Sequence, residues 1–380
     1  MPRAAACIAL AGMLSCEWST EPHGPMRPQS VVLFATPKIL SDFASPAQGA
    51  AAFLDHYAPL TSRAAETILI FAVGNSDHVL MYRGTQFWQD SVEWARYTNG
   101  LPVDSRVMNY HQLDAIVKAF KSHAASTGLN LRIYDQVDQG IEFTRNDFKH
   151  FRQPACFSVE WESFDIRGLM SADTFTYATA PGGVASGIQC GSFLVDQVAA
   201  YMTDLSFDGI LYGNQLGTRG KWLPEDGPGY TEAEANAIRD FMAYSKQKFG
   251  SRALMWFDSY NNIDIERITW SVPADAYDSF DYVIASGFCA VSFPARARDN
   301  LASKLRIIDG PRVLASLDWV DPWYTYNSMT AFSDESRHLE TLAIVNRFKV
   351  DGVVFFANDE LGAPVPRALV ESFAARYFVP

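Results

Sequence analysis

The stretch Phe207-Asp208-Gly209-Ile210 has a counterpart near the other end of the chain, Val350-Asp351-Gly352-Val353. In each, a helical pattern ends, Asp-Gly makes a turn and an apolar run enters a sheet. This is the punctuation of a repeated βα unit. It belongs to the N-terminal face of a barrel, where residues serve stability more than chemistry. Working outward, apolar β-rich runs occupy residues 31–35, 68–73, 131–134, 209–212, 253–257, 282–285, 313–317 and 353–357. Such runs alternating with helices predict an α/β fold, a single (β/α)8 TIM barrel.

The intervening helices carry their own signals. Leu113, Ile116, Val117 and Phe120 follow the i, i+3, i+4, i+7 stripe, with Asn109 to cap the helix and Gly128 to end it. Thr231 and Glu234 form a T-x-x-E capping box before a helix reaching about residue 249. Further helices are predicted over 335–348 and 366–377. Two connections exceed a simple crossover, residues 77–105 after the second strand and 138–189 after the third. Within the longer one, residues 157–161 alternate like a small extra strand.

The chain has 380 residues, 48% of them hydrophobic, so a large core is expected and global disorder is not. Its formal net charge of −12 disfavours nucleic acid and anionic membranes as partners. Met1-Pro2-Arg3, an apolar stretch over 4–14 and Ser15-Cys16 look like a signal or lipoprotein-type leader. Residues 1–25 are accordingly read as leader and 26–380 as the barrel. A secreted, periplasmic or envelope location is expected, with no transmembrane segment. Of the five cysteines, Cys156 and Cys190 could pair across a long loop in an exported chain, a pairing that sequence leaves open.

In this fold, active sites lie at the C-terminal ends of the strands. Carboxylates cluster there: Asp135 and Asp138 after the third run, Asp258 after the fifth, Asp318 and Asp321 after the seventh, Asp359 and Glu360 after the eighth. Two carboxyls in unlike environments hold split pKa values, one serving as acid and the other as base or nucleophile. Glycoside hydrolysis needs such a pair about 5–10 Å apart. In the seventh run, Val313, Ala315 and Leu317 suit the helix layer, so Ser316 and Asp318 are expected to point into the barrel. Asp258 and Asp318 are the first candidates for the pair, with Asp135 and Glu360 in reserve. Tyr212, Asn214, Gln215, Trp222, Tyr260, Trp319, Asp321, Trp323 and Asn358 are candidate sugar contacts, because rings stack on C–H faces and amides or acids bind hydroxyls.

Other chemistries lack a signature. There is no HxH, HExxH or CxxC pattern, no GxGxxG after a strand, no Walker loop and no GxSxG elbow. No cofactor is called for. An oxygen-ligand metal site at Asp135, Asp138 or Asp321 stays open as an alternative.

The strand endings Ile133-Tyr134-Asp135-Gln136, Trp256-Phe257-Asp258-Ser259-Tyr260 and Ser316-Leu317-Asp318-Trp319 resemble those of barrel glycoside hydrolases, over roughly residues 30–380. The resemblance implies a glycosidase acting on an oligo- or polysaccharide. It also implies a Glu at the end of strand four, where this chain has Tyr212 and Asn214, which turns the expectation toward an inverting scheme or a divergent acid pair. A non-catalytic glycan-binding barrel, a metal-dependent hydrolase or lyase, and a structural envelope protein are the competing readings.

Overall fold

The computed structural model describes residues 28–35, 43–74, 82–83, 86–87, 110–137, 157–158, 163–164, 174–176, 186–189, 195, 199, 202–212, 232–258, 274–286, 305, 308, 311–316, 350–357 and 364–378. Eight strands form the core: β1 (Ser30–Ala35), β2 (Glu66–Gly74), β3 (Leu131–Val137), β4 (Gly209–Tyr212), β5 (Ala253–Asp258), β6 (Tyr282–Ser286), β7 (Arg312–Ser316) and β8 (Gly352–Phe356). Every neighbouring pair is parallel, and β8 pairs with β1, so the sheet closes on itself. The (β/α)8 expectation holds, with strand ends moved by at most three residues. The largest shift is at β3, which runs on to Val137.

The helices described are α1 (Pro46–Thr61), α2 (Tyr110–Thr127), α3 (Glu232–Phe249) and α4 (Arg367–Tyr377). The predicted stripe Leu113, Ile116, Val117 and Phe120 is the buried face of α2. Gly128 ends that helix with φ +73°, a left-handed value that costs glycine little. Helix α1 had no counterpart in the sequence reading. Its signal is Ser45-Pro46: the Ser45 hydroxyl accepts a hydrogen bond from Gln48 N at 3.3 Å, and proline opens the first turn. The stretch 335–348 lies outside the described residues. Short hairpins pair Tyr82–Arg83 with Gln86–Phe87, Phe157–Ser158 with Ser163–Phe164, and Thr174–Thr176 with Ser186–Gln189. They fall in the two long connections, one of them where residues 157–161 suggested a strand.

The register explains which side chains face inward. One line of partners runs from Arg132 through Ile68, Val32, Val354 and Ser316 to Ser286. Another runs from Tyr282 through Met255 and Leu211 to Gln136. Ser286 lies four residues past Tyr282 and Gln136 four past Arg132, so one circuit shifts the register by eight residues. That shear stacks inward residues in layers of four from alternate strands. Val32, Tyr134, Met255 and Leu314 make one layer; Ile70, Leu211, Ile284 and Val354 make the next toward the C-terminal face.

Below them, Ile68 and Tyr282 share a layer with Gly209 and Gly352, and the glycines are required by space. A Cβ on Gly209 would stand 2.8 Å from Tyr134 Cζ and 2.9 Å from Ala253 O. One on Gly352 would press on the Ser30 backbone oxygen and lie 2.8 Å from Leu314 Cδ2. The aspartates before these glycines are equivalent too. Asp208 Oδ2 accepts from Ile133 N and Asp351 Oδ2 from Val313 N, each at 2.9 Å. Each Asp-Gly thus ties its strand to the preceding one and leaves a vacancy for an interior side chain.

The N-terminal face is closed by charge. Glu66, nearly buried, pairs with Arg132 Nε at 2.7 Å and Arg312 at 3.7 Å. It also accepts from Ser30 Oγ at 3.0 Å and Tyr282 Oη at 3.4 Å, while the Arg312 guanidinium packs over the Tyr282 ring. A carboxylate taken from water here is compensated by both cations and two hydroxyls.

Two stability outcomes follow. Gly352→Ala is expected to cost about 2–3 kcal/mol by overpacking, read as a lower urea midpoint, with Gly209→Ala behaving alike. Glu66→Gln should cost about 2 kcal/mol, less than a fully buried pair because both guanidinium groups are half-exposed. An unchanged midpoint in Glu66→Gln would show that this cluster does not hold the strands.

Candidate active site

The C-terminal mouth is where the interior changes character. Above the layer of Ile70, Leu211, Ile284 and Val354, the next inward positions include Phe34, Gln136 and Ser316. Gln136 and Ser316 stand on β3 and β7, opposite sides of the barrel, and both are buried polar residues. An apolar barrel interior thus meets an amide and a hydroxyl at its upper end. Ser286 is the register partner of Ser316 on β6. Beside Gln136 the pairing of β2 with β3 breaks step: Phe71 pairs with Asp135 and Gly74 with Val137, leaving an extra residue on β2 against Gln136. Such bulges commonly re-aim backbone at the rim of a site.

Asp135 is not brought to this mouth. The sequence places it after its strand, but β3 continues through it, and the pleat decides its direction. Its register partners are Phe71 and Ile210. The Phe71 ring meets Phe120 of α2 at 5.3 Å, so this series faces the helix layer. Asp135 is fully buried there, while Tyr134 and Gln136 on either side take the interior.

Tyr212 is likewise corrected as a sugar contact. It is wholly buried on the outer side of β4, with its ring 5.3 Å from Phe241 and 6.2 Å from Phe249 of α3. Its hydroxyl lies 2.9 Å from Ser245 Oγ, which donates to Phe241 O at 2.8 Å. The phenol therefore donates to the serine, and its apolar body fastens α3 to the barrel.

Asp258 ends β5 in register with Ala285. The interior series of β5 runs through Ala253 and Met255, and position 258 is out of phase with it. Ser316 is inside as expected. Asp318, Glu360, Asn214, Gln215, Trp222, Tyr260, Trp319, Asp321, Trp323 and Asn358 lie outside the described residues, as do Cys156, Cys190 and the leader. Gln136 was missed by the sequence reading. The signal available was the alternation Arg132, Tyr134, Gln136, which emerges once β3 is extended to Val137.

Among the described residues, no group of three or more His, Cys, Asp or Glu is placed to hold a metal ion. Among them, too, no helix is long and apolar enough to cross a membrane.

Burial raises several phenols well above their ordinary value. Tyr212, Tyr57 and Tyr134 are shifted up chiefly by desolvation, and Tyr282 by desolvation and the Glu66 charge. The fold favours the neutral phenol at each of them. Their contribution is complete below the unfolded value of about 10 and is lost as pH rises past it toward the folded values. The melting temperature should therefore fall steeply above about pH 10. Tyr212→Phe should start about 1 kcal/mol less stable and show a shallower fall. Equal alkaline slopes in the two proteins would remove Tyr212 from this account.

No family model matches the chain, and no curated protein sequence does. Solved structures do match in fold. The C-terminal domain of a protein designated a chitinase from Desulfitobacterium hafniense DCB-2 aligns with TM-score 0.52 at 9% identity, over 92% of this chain and 98% of that one. A chitinase from Chromobacterium violaceum ATCC 12472 aligns at 0.46 and 10% identity, over 90% and 98%. An α-amylase from Geobacillus thermoleovorans aligns at 0.47 and 10%, over 93% and 78%. The first of these shares the fold of this chain, the closed (β/α)8 barrel.

Proposed function

We propose that the protein is a glycoside hydrolase that cleaves an oligo- or polysaccharide at the C-terminal mouth of the barrel. The observation that carries this reading is the closed barrel whose inward layers turn polar at Gln136 and Ser316. Asp318 comes two residues after Ser316 in the sequence, which is the ground for proposing it as a carboxyl of the mouth. Support also comes from the fold shared with a solved domain designated a chitinase.

In this scheme one carboxylic acid protonates the glycosidic oxygen as the bond to the anomeric carbon breaks. A second carboxylate either deprotonates the attacking water or adds to that carbon. Asp318 is the leading carboxyl. Glu360 is the candidate for its partner; Asp135, Tyr212 and Asp258 leave the set, position 258 being out of phase with the interior series of β5. Tyr260, Trp319 and Trp323 would stack on the sugar, and Asn214, Gln215, Trp222, Asp321 and Asn358 complete the proposed walls. The leader read in residues 1–25 supports a secreted or envelope enzyme.

Reducing-sugar release from chitin, starch, fucoidan and other glycans is the direct test. Release by the wild type should fall by at least about a hundredfold in Asp318→Asn, with the melting temperature kept. Glu360→Gln then tests the partner, and Asp258→Asn, at an out-of-phase position, should keep most of the activity. Wild-type rates in Asp318→Asn would remove that residue from the chemistry. One sequence feature favours a glycan-binding barrel without turnover: Gly213, Asn214 and Gln215 follow β4 with no carboxylate among them. Saccharide binding by the wild type with no release would select that reading.

A further inference from the structure

We infer that Gln136, through its side-chain amide, is a direct saccharide contact at the floor of the mouth and helps set specificity there. The inference rests on the glycosidase or glycan-binding reading above. Three observations lead to it independently of the carboxylates.

The first is phase. Gln136 pairs in register with Leu211, a member of the interior cluster, and follows Tyr134, another member, by two residues. It therefore faces inward, whereas Asp135 beside it faces α2.

The second is height. Gln136 lies one layer above Ile70, Leu211, Ile284 and Val354, the last fully apolar layer described. It retains 9% exposure, while Ser316 across the barrel and Asp135 retain none. Among these polar residues of the upper barrel it is the one with an outlet.

The third is the local backbone. The irregularity in β2 between Phe71 and Gly74 falls directly against Gln136. A regular ladder would continue the rim of β2 in step with β3. The extra residue turns that rim at the position where Gln136 reaches the mouth. A carboxamide offers both donors and acceptors, which suits the paired hydroxyls of a sugar ring. It carries no charge, so it selects by hydrogen-bond geometry and does not compete with a catalytic acid for protons.

The test separates geometry from activity. Gln136→Cys and Asp135→Cys are treated with methyl methanethiosulfonate, and modified positions are located by peptide mass mapping, with melting temperatures recorded for both. Cysteine at 136 should react at least about tenfold faster than cysteine at 135, which is shielded by α2. A saccharide that the wild type binds or cleaves should slow modification at 136. In parallel, Gln136→Ala should raise KM about three- to tenfold, the loss of a neutral hydrogen bond or two, with little change in kcat. For a barrel that binds without turnover, Kd replaces KM.

Equal modification at both positions in folded variants overturns the inward placement of Gln136. Modification at 136 that ignores a saccharide which the wild type does bind overturns the contact. If no glycan is bound or cleaved by the wild type, the carbohydrate reading itself has failed, and labelling at 136 still reports the geometry.

Discussion

Closure of the sheet governs everything else in this protein. Once β8 pairs with β1, the register must return to its start after one circuit, and here it returns shifted by eight residues. That shift fixes strand tilt, and tilt fixes which residues meet at each height. Interior layers then have to be filled to native density from alternate strands. Tyr134 and Leu314 fit because Gly209 and Gly352 carry no side chain at the level below. The two Asp-Gly steps are therefore packing devices as well as turns. Their aspartates complete the backbone of the neighbouring strand.

The two ends of the barrel use polar groups for different ends. At the N-terminal face, Glu66 gathers Arg132, Arg312, Ser30 and Tyr282 into a compensated cluster drawn from five strands. Such a cluster joins strands distant in sequence, and its energy goes into holding them. At the C-terminal face, the described interior ends on Phe34 and on two uncharged polar residues, Gln136 and Ser316. Uncharged hydrogen-bonding groups above an apolar floor suit a neutral, hydroxyl-rich ligand, in keeping with the proposed carbohydrate substrate.

Much of the architecture was legible in the chain. The β-rich runs, the α2 stripe and the Gly128 stop all rest on local signals with a period of 2 or 3.6 residues, and each reappears in the structure. Reading the phase of individual strands was harder. For β7 the aliphatic series Val313 and Ala315 marked the outer side, and Ser316 is inside accordingly. For β3 the apolar run stops at Tyr134, which predicts Asp135 as a rim residue. The strand in fact carries polar groups at Arg132, Asp135 and Gln136, which hides its period.

Sequence alone determined the βα order and the strand count, because these depend on short-range pattern and chain order. Only the tertiary structure decided that Asp135 and Tyr212 look outward, that Gln136 looks inward, and that Glu66 is the hub of the opposite face. The reason is physical. A one-residue step along a strand reverses a side chain's direction, and the step is settled by pairing with strands far away in sequence. No local window contains Phe71, Asp135 and Ile210 together, yet their register is what places the carboxylate against a helix and the next residue in the mouth.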